Sequence, residues 1–410
     1  MRRPLLTQPA LLSSSSRTGL RLQIRCSTWP LHRRFSSLLP PSSSSVVPTA
    51  PYDILFCGTD TFASASLSAL LSHRLLLCSS LHVLTPADVA QKWGASRMKV
   101  SPVKRVALEH GLPHQDVPSS GMTDYIPPRG LVSDNPKAIL LTCSFGHLIP
   151  DALLDAFPNP WQRINIHPSL LPQLRGAAPI QWALTRRMTT SGVSIQTLEK
   201  GKFDTGRIVS QQEFAFPPPI PQARAAGFLQ VEQAMAQRAA DLLIRTLQHL
   251  PERWANSWDQ DETQKTYAPK LKAQHSLIKW HKWSAADIVA REQGFAYLYP
   301  LTTTLHPPTS TSSSPFRPVS ITFSDTSTLT HSTLRSQDPA IAAAFLSSAV
   351  PAGSAGYSLP LNALVVKTQG EEALAVQTVK VASKKAKTAQ EWYRAYRDRA
   401  DPASGLLRFQ

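Results

Sequence analysis

Cysteine is scarce in this chain of 410 residues, with four, at positions 26, 57, 78 and 143. No two stand in a Cys-x-x-Cys pair and no Cys/His spacing forms a metal pattern, so a disulfide framework and a zinc module are excluded. Cys57, Cys78 and Cys143 lie in apolar segments and read as buried thiols of a reducing compartment. No metal is expected. Long apolar runs are missing too: the longest candidate, 65–81, is interrupted by Ser72, His73 and Arg74, so membrane insertion is not expected. Phosphate-cradling glycine loops are absent. There is no Walker loop, and Gly58 is the lone early glycine after the first apolar strand, so neither ATP nor a dinucleotide is implied.

Acidic residues are missing from the first 52 positions, which hold seven arginines and no lysine. That stretch is also Ser-rich and Leu-bearing, the composition of a mitochondrial transit peptide and not of a secretory signal, although a plastid address would look similar. Residues 1–50 are expected to be a disordered transit peptide directing the protein to the mitochondrial matrix, with Arg33-Arg34-Phe35-Ser36-Ser37 as the processing site. The net charge is +16, and setting the seven arginines aside leaves +9. A balance this basic suits a polyanionic partner: nucleic acid, a membrane surface or a phosphorylated substrate.

Apolar strands alternate with helical patterns through the first half. Strands are expected at 53–57, 81–84, 138–143, 164–167, 193–198 and 208–216. Helices are expected at 61–71, 101–110, 151–157, 178–187 and 225–250. Such alternation indicates a Rossmann-like, mostly parallel sheet with helices on both faces. This domain is expected over 51–250, with a polar linker at 251–274. Residues 275–410 open with a helix at 285–294 and continue as short strands at 302–305, 319–323, 363–367 and 374–381. Their Pro- and Gly-rich turns suggest a small OB-like β-barrel. The Ser/Thr/Pro/Ala-dense stretches 306–316 and 325–360 are expected to be flexible loops, and 390–399 a short basic helix.

The strand Arg163-Ile164-Asn165-Ile166-His167 alternates polar and apolar, which sends Asn165 and His167 to one side. Pro168 ends it. A carboxylate, Asp204, follows in Phe203-Asp204-Thr205-Gly206. Taken singly, each has an ordinary structural reading: a satisfied histidine, a turn-capping amide, a turn aspartate. Together at a strand end, where open α/β sheets bind ligands, an amide and an imidazole can donate to a developing oxyanion while a carboxylate orients the imidazole. This is acyl-transfer equipment with no evident covalent nucleophile.

Four motifs in order carry a resemblance: Asn165-Ile-His167-Pro-Ser169-Leu-Leu-Pro172, Arg175-Gly176-Ala177-Ala178-Pro179-Ile180, Gly192-Val-Ser-Ile195 and Asp204-Thr-Gly206. They resemble the core of the formyltetrahydrofolate-dependent formyltransferases. Residues 54–63, Ser101-Pro102-Val103-Lys104, 144–150, 266–271, 278–280 and Ala285-Ala286 add landmarks, so the likeness runs from about 52 to about 396. The run 175–181 resembles the branch acting on methionyl-tRNA more than the purine-pathway branch. Lys202-Phe203-Asp204 and Ser144-Phe145-Gly146 look like its mitochondrial members.

The resemblance implies formyl transfer from 10-formyltetrahydrofolate to the α-amine of initiator methionyl-tRNA, by a monomer. It implies Asn165, His167 and Asp204 as the catalytic group. It places the pterin against His147, Leu148, Ile149 and Leu153, with Ser169, Leu170, Leu171, Pro172 and Arg175 shaping the cleft. The tRNA is expected on Lys92, Trp93, Arg97, Lys99, Lys104 and Arg105, and on Lys384, Lys385 and Lys387. Rival readings are a formyltransferase acting on a small amine, such as a nucleotide or amino sugar, a non-catalytic RNA-binding relative, and a hydrolase releasing formate.

Overall fold

Strand β1 (Tyr52–Gly58) sends alternate side chains into two apolar layers, the period-two signature of a strand buried on both faces. Ile54 and Phe56 enter one core, while Leu55 and Cys57 enter the other. In this computed structural model the described residues are 46–90, 98–132, 135–217, 227–306, 317–347 and 349–410.

After β1 come α1 (Thr61–Ser72), α2 (Arg74–Leu77), β2 (Cys78–Thr85) and a short antiparallel pair, β3 (Val89–Ala90) with β4 (Met98–Lys99). Next are α3 (Pro102–Glu109), β5 (His114–Asp116), β6 (Ala138–Cys143), α4 (Asp151–Asp155) and β7 (Arg163–His167). The lobe finishes with α5 (Pro179–Thr185), β8 (Thr190–Thr197), β9 (Ile208–Ala215), α6 (Phe228–Gln248) and α7 (Leu250–Ala255). The sheet order is β5-β2-β1-β6-β7-β8-β9. Its first five strands are parallel, and β8 and β9 are antiparallel additions. One face carries α1, α3 and α6; the other carries α4. Along α6, Val231, Met235, Leu242, Leu243 and Leu247 are buried. Each such leucine contributes about 1.5–3 kcal/mol relative to exposure.

The chain then crosses the sheet's far edge. Trp258 and Ile208 exchange backbone hydrogen bonds of 3.1 and 2.8 Å, and Tyr267 bridges to Arg175. Helix α8 (Ala285–Phe295) follows, capped by Ser284 and packed on α5 so closely that a Cβ on Gly294 would lie 2.8 Å from the Gln181 carbonyl. Beyond it lie β10 (Leu301–His306), β11 (Val319–Thr330), α9 (His331–Gln337), α10 (Pro339–Leu346), β12 (Ser354–Ser358), β13 (Ala363–Lys367) and β14 (Glu372–Val381). The chain ends with β15 (Lys387–Thr388), α11 (Ala389–Tyr396) and β16 (Leu407–Phe409). Strands β11-β10-β16-β12-β13-β14 form an antiparallel barrel that closes by pairing β14 with β11. Leu301, Phe323, Val376, Trp280 and Phe409 fill it.

Residues 325–360 are not the flexible loop expected from their composition. Strand β11 continues to Thr330 and stays in register with β14 as far as Thr330↔Glu372. Threonine suits a half-buried pleated surface, so a Thr-rich run extends a strand as readily as it makes a loop. Asp338 then caps α10 by accepting from Ile341 N at 3.2 Å. Leu334, Ala342 and Phe345 pack on the outer face of the barrel with Val365 and Ala375. The other stretch, at 307–316, lies outside the described residues, as does the expected transit peptide over 1–45.

Candidate active site

Three neighbouring strands place one polar residue each at the same level. Thr142 on β6 pairs with Asn165 on β7, which pairs with Gln196 on β8. Side chains opposite each other in register share a face. Thr142 Oγ1 donates to Asn165 Oδ1 at 2.8 Å. With its oxygen so occupied, the amide of Asn165 presents its Nδ2 donors to the open side.

His167 ends β7 and is buried, at 5 % exposure. Its Nε2 lies 3.0 Å from the Leu174 carbonyl, and its Nδ1 lies 3.5 Å from Asp204 Oδ1. A carbonyl can only accept, so Nε2 carries a proton.

Asp204 adopts a left-handed backbone, φ 55°, in the turn between β8 and β9. Its Oδ2 accepts from Gly176 N at 2.8 Å and its Oδ1 from Gln196 Nε2 at 2.9 Å. Two glycines permit this approach. A Cβ on Gly206 would overlap the Thr197 carbonyl, and one on Gly176, at φ 119°, would lie 2.8 Å from the Ala268 carbonyl.

Asn165, His167 and Asp204 line one cavity of about 580 Å³, within the range of small-molecule sites. Phe145, Leu148, Ile149, Leu154 and Leu198 form its apolar part. Asp60 and Glu232 line it as well. Burial raises the carboxyl of Asp60 above its ordinary range. Burial, and secondarily the charge of Asp60, push Glu232 up to about 7. Burial also pushes the Cys57 and Cys143 thiols far up, so neither is poised as a nucleophile. Among the described residues no cluster of three or more His, Cys, Asp or Glu is arranged to hold a metal ion, and no helix is long and apolar enough to cross a membrane.

Several expected contact residues sit elsewhere. His147, Leu148 and Ile149 line the cavity, but Leu153 points into the core beneath it and Leu154 takes its place. Ser169, Leu170, Leu171 and Pro172 lie behind the cavity and do not line it. Ser169 Oγ donates to the Gln173 carbonyl at 2.6 Å, and Leu171 N donates to Ser194 Oγ at 3.0 Å. Gly176 and Ala177 form that wall instead. Arg175 is buried, held by Gln260 and Glu262.

Among the basic residues, Lys104 is not available to a phosphate. It is buried and paired with Asp88 at 3.0 Å and Asp116 at 2.8 Å. Lys99 and Arg105 are exposed, while Lys92, Trp93 and Arg97 lie outside the described residues. Lys384, Lys385 and Lys387 are exposed and line a separate cavity of about 290 Å³ with Trp392, Tyr396 and Arg399.

Thr142, Gln196, Gln260, Asp60 and Glu232 were not anticipated. Asp60 alone left a signal, as an N-cap residue ahead of an apolar helical run.

The family model for formyl transferase matches residues 54–226. A methionyl-tRNA formyltransferase of Syntrophus aciditrophicus (strain SB) is 34 % identical over 60 % of this chain and 74 % of its own length. The chain belongs to the formyl transferase family. The mitochondrial methionyl-tRNA formyltransferase of Rattus norvegicus is 31 % identical over 64 % of the chain. The chain spans about three fifths of the mammalian mitochondrial relatives it matches, 62 % in the rat and 59 % in the human protein. A solved sugar 3N-formyl transferase, crystallised with dTDP and 5-N-formyl-THF, superimposes with a TM-score of 0.51. It is 13 % identical and covers 82 % of this chain and 100 % of its own, a likeness of fold. Asn165, His167 and Asp204 all lie inside the matched span.

Proposed function

We propose that this protein transfers the formyl group of 10-formyltetrahydrofolate to the α-amine of initiator methionyl-tRNA in the mitochondrial matrix. The observation that carries the reading is the convergence of Asn165, His167 and Asp204 on one cavity in a chain similar to bacterial and mitochondrial methionyl-tRNA formyltransferases. The apolar slot at Leu148 and Ile149 suits a pterin ring, and the loop 199–204 supplies backbone groups for its edge.

In the transfer, the amine nitrogen forms a bond to the formyl carbon and the carbonyl oxygen takes up the negative charge. Asn165 Nδ2, oriented by Thr142, donates to that oxygen. The tetrahedral centre collapses, the bond to N10 breaks, and the proton lost by the amine ends on N10. His167 and Asp204 carry that proton between the two nitrogens.

The tRNA backbone lies along Lys99, Arg105 and the cluster Lys384, Lys385 and Lys387, together with Lys92, Trp93 and Arg97. Support comes from the second cavity, where Lys384, Lys385 and Lys387 stand exposed beside Arg399, a setting suited to phosphate groups. The test is incubation of the protein with 10-formyltetrahydrofolate and charged initiator tRNA. Formyl-methionine is expected; formylation of nucleotides or amino sugars in its place would overturn the reading.

A further inference from the structure

Beyond the three motif residues, the polar groups around Asp204 form a chain with one direction. Arg175, a donor only, gives Nε and Nη2 to Gln260 Oε1 at 3.1 and 2.7 Å. This leaves Gln260 Nε2 to donate, to Gln196 Oε1 at 3.1 Å and to the Asp204 and Gly206 carbonyls at 3.1 and 2.7 Å. Gln196, with its oxygen taken, turns Nε2 toward Asp204 Oδ1 at 2.9 Å. Each amide is thereby held in one of its two orientations. The guanidinium sets the sense, and the last link offers Asp204 a donor. A flipped Gln196 would set oxygen against oxygen at Asp204 Oδ1.

The same connecting segment controls the other acceptor of His167. Thr266 Oγ1 accepts from Leu174 N at 2.9 Å, and Thr266 O accepts from Arg175 N at 2.9 Å. Ala268 N donates to Arg175 O at 2.7 Å. These bonds fix the loop whose Leu174 carbonyl faces His167 Nε2. Both neighbours of the imidazole are thus tied to residues 260–268.

From this geometry we infer that Gln260 is a positioning residue, which acts through Gln196 to hold Asp204 as the acceptor beside His167. The inference rests on the proposed role of His167 and Asp204. It adds that a residue between the sheet lobe and the barrel sets their geometry without touching substrate.

The test uses the full chain and three variants: Gln260→Leu, Gln196→Met and the double variant. Turnover is expected to fall about tenfold to a hundredfold in each single variant, the scale of a small misplacement at a reacting centre, with KM for tRNA nearly unchanged. The pH profile of turnover should be displaced. The double variant should be no worse than the weaker single one, because both cut one chain. The ring-nitrogen NMR signals of His167, assigned with a His167→Asn protein, are read without substrate and should shift in both single variants. If Gln260→Leu does not fold, Gln196→Met carries the test. Unchanged His167 signals, or additive losses with an unchanged pH profile, would overturn the inference and leave Gln260 as a structural staple. Absence of formyl transfer in the unmodified protein would overturn the proposed function instead, since the NMR readout does not depend on it.

Discussion

Replacing Asp204 by asparagine tests the site at its most constrained atom. The carboxylate accepts from two fixed donors, Gly176 N at 2.8 Å and Gln196 Nε2 at 2.9 Å, while facing His167 Nδ1. An asparagine has one oxygen. Whichever way it turns, its NH₂ meets a backbone donor or an amide donor, and no position for it is free of such a clash. The lost charge-assisted bond and the facing donors should cost about 1.5–3 kcal/mol of stability. Turnover should suffer more, because the histidine loses the carboxylate that faces its Nδ1. Loss of an acid–base or oxyanion group costs about 10²–10⁴ in rate, or roughly 2.7–5.5 kcal/mol of barrier at 1.36 kcal/mol per decade. The assay is single-turnover formylation of charged initiator tRNA with enzyme in excess, after an unfolding curve shows that the variant is folded. His167→Ala should fall in the same range. A folded Asp204→Asn protein forming product within a few-fold of the normal rate would refute the assignment of the proton path.

Three further outcomes are expected. Glu232, raised to about 7 by burial first and by Asp60 second, binds its proton more tightly folded than unfolded, so this group's contribution to stability falls as pH rises from the ordinary carboxyl range to about 7. Glu232→Gln should therefore stabilise the protein more at pH 8 than at pH 5 by denaturant titration, and an equal gain at both would count against a buried acid. Gly206→Ala should unfold more readily by at least about 1–3 kcal/mol, because its Cβ would overlap the Thr197 carbonyl; a normal denaturation midpoint would contradict that packing. Changing Lys384, Lys385 and Lys387 to glutamine should weaken tRNA binding and lower the slope of log affinity against log salt by about one per lost phosphate contact, whereas an unchanged slope would make them solvated surface.

Much of the sheet lobe was legible because each element announces itself locally. The alternation at 163–167, the apolar run of β6 and the proline after β7 need no distant partner to be read. The barrel was only partly legible. Strand β16 is three residues long and β12 five, too short for a period to show. The Ser/Thr/Ala composition of 325–360 has the look of a loop until Leu334 and Phe345 find the barrel wall. Charge misled for a similar reason. A lysine is visible in sequence, but the two aspartates that bind Lys104 come from other segments, Asp88 after β2 and Asp116 on β5.

The site divides along the same line. Asn165 and His167 are two apart on one strand, so their shared face follows from the backbone alone. Asp204 is marked by its turn, since Asp-Thr-Gly demands a tight return. Thr142 and Gln196 become site residues only through register across three strands, and a slip of one residue would send either side chain to the opposite face. Gln260 is further removed still: in sequence it is one polar residue in a polar connector, and its amide acquires a direction only when Arg175 stands on one side and Gln196 on the other. The groups proposed to do chemistry are thus local features of the chain. The groups that orient them are supplied by tertiary contacts, which is why Gln260→Leu should disturb the reaction while leaving every recognisable motif intact.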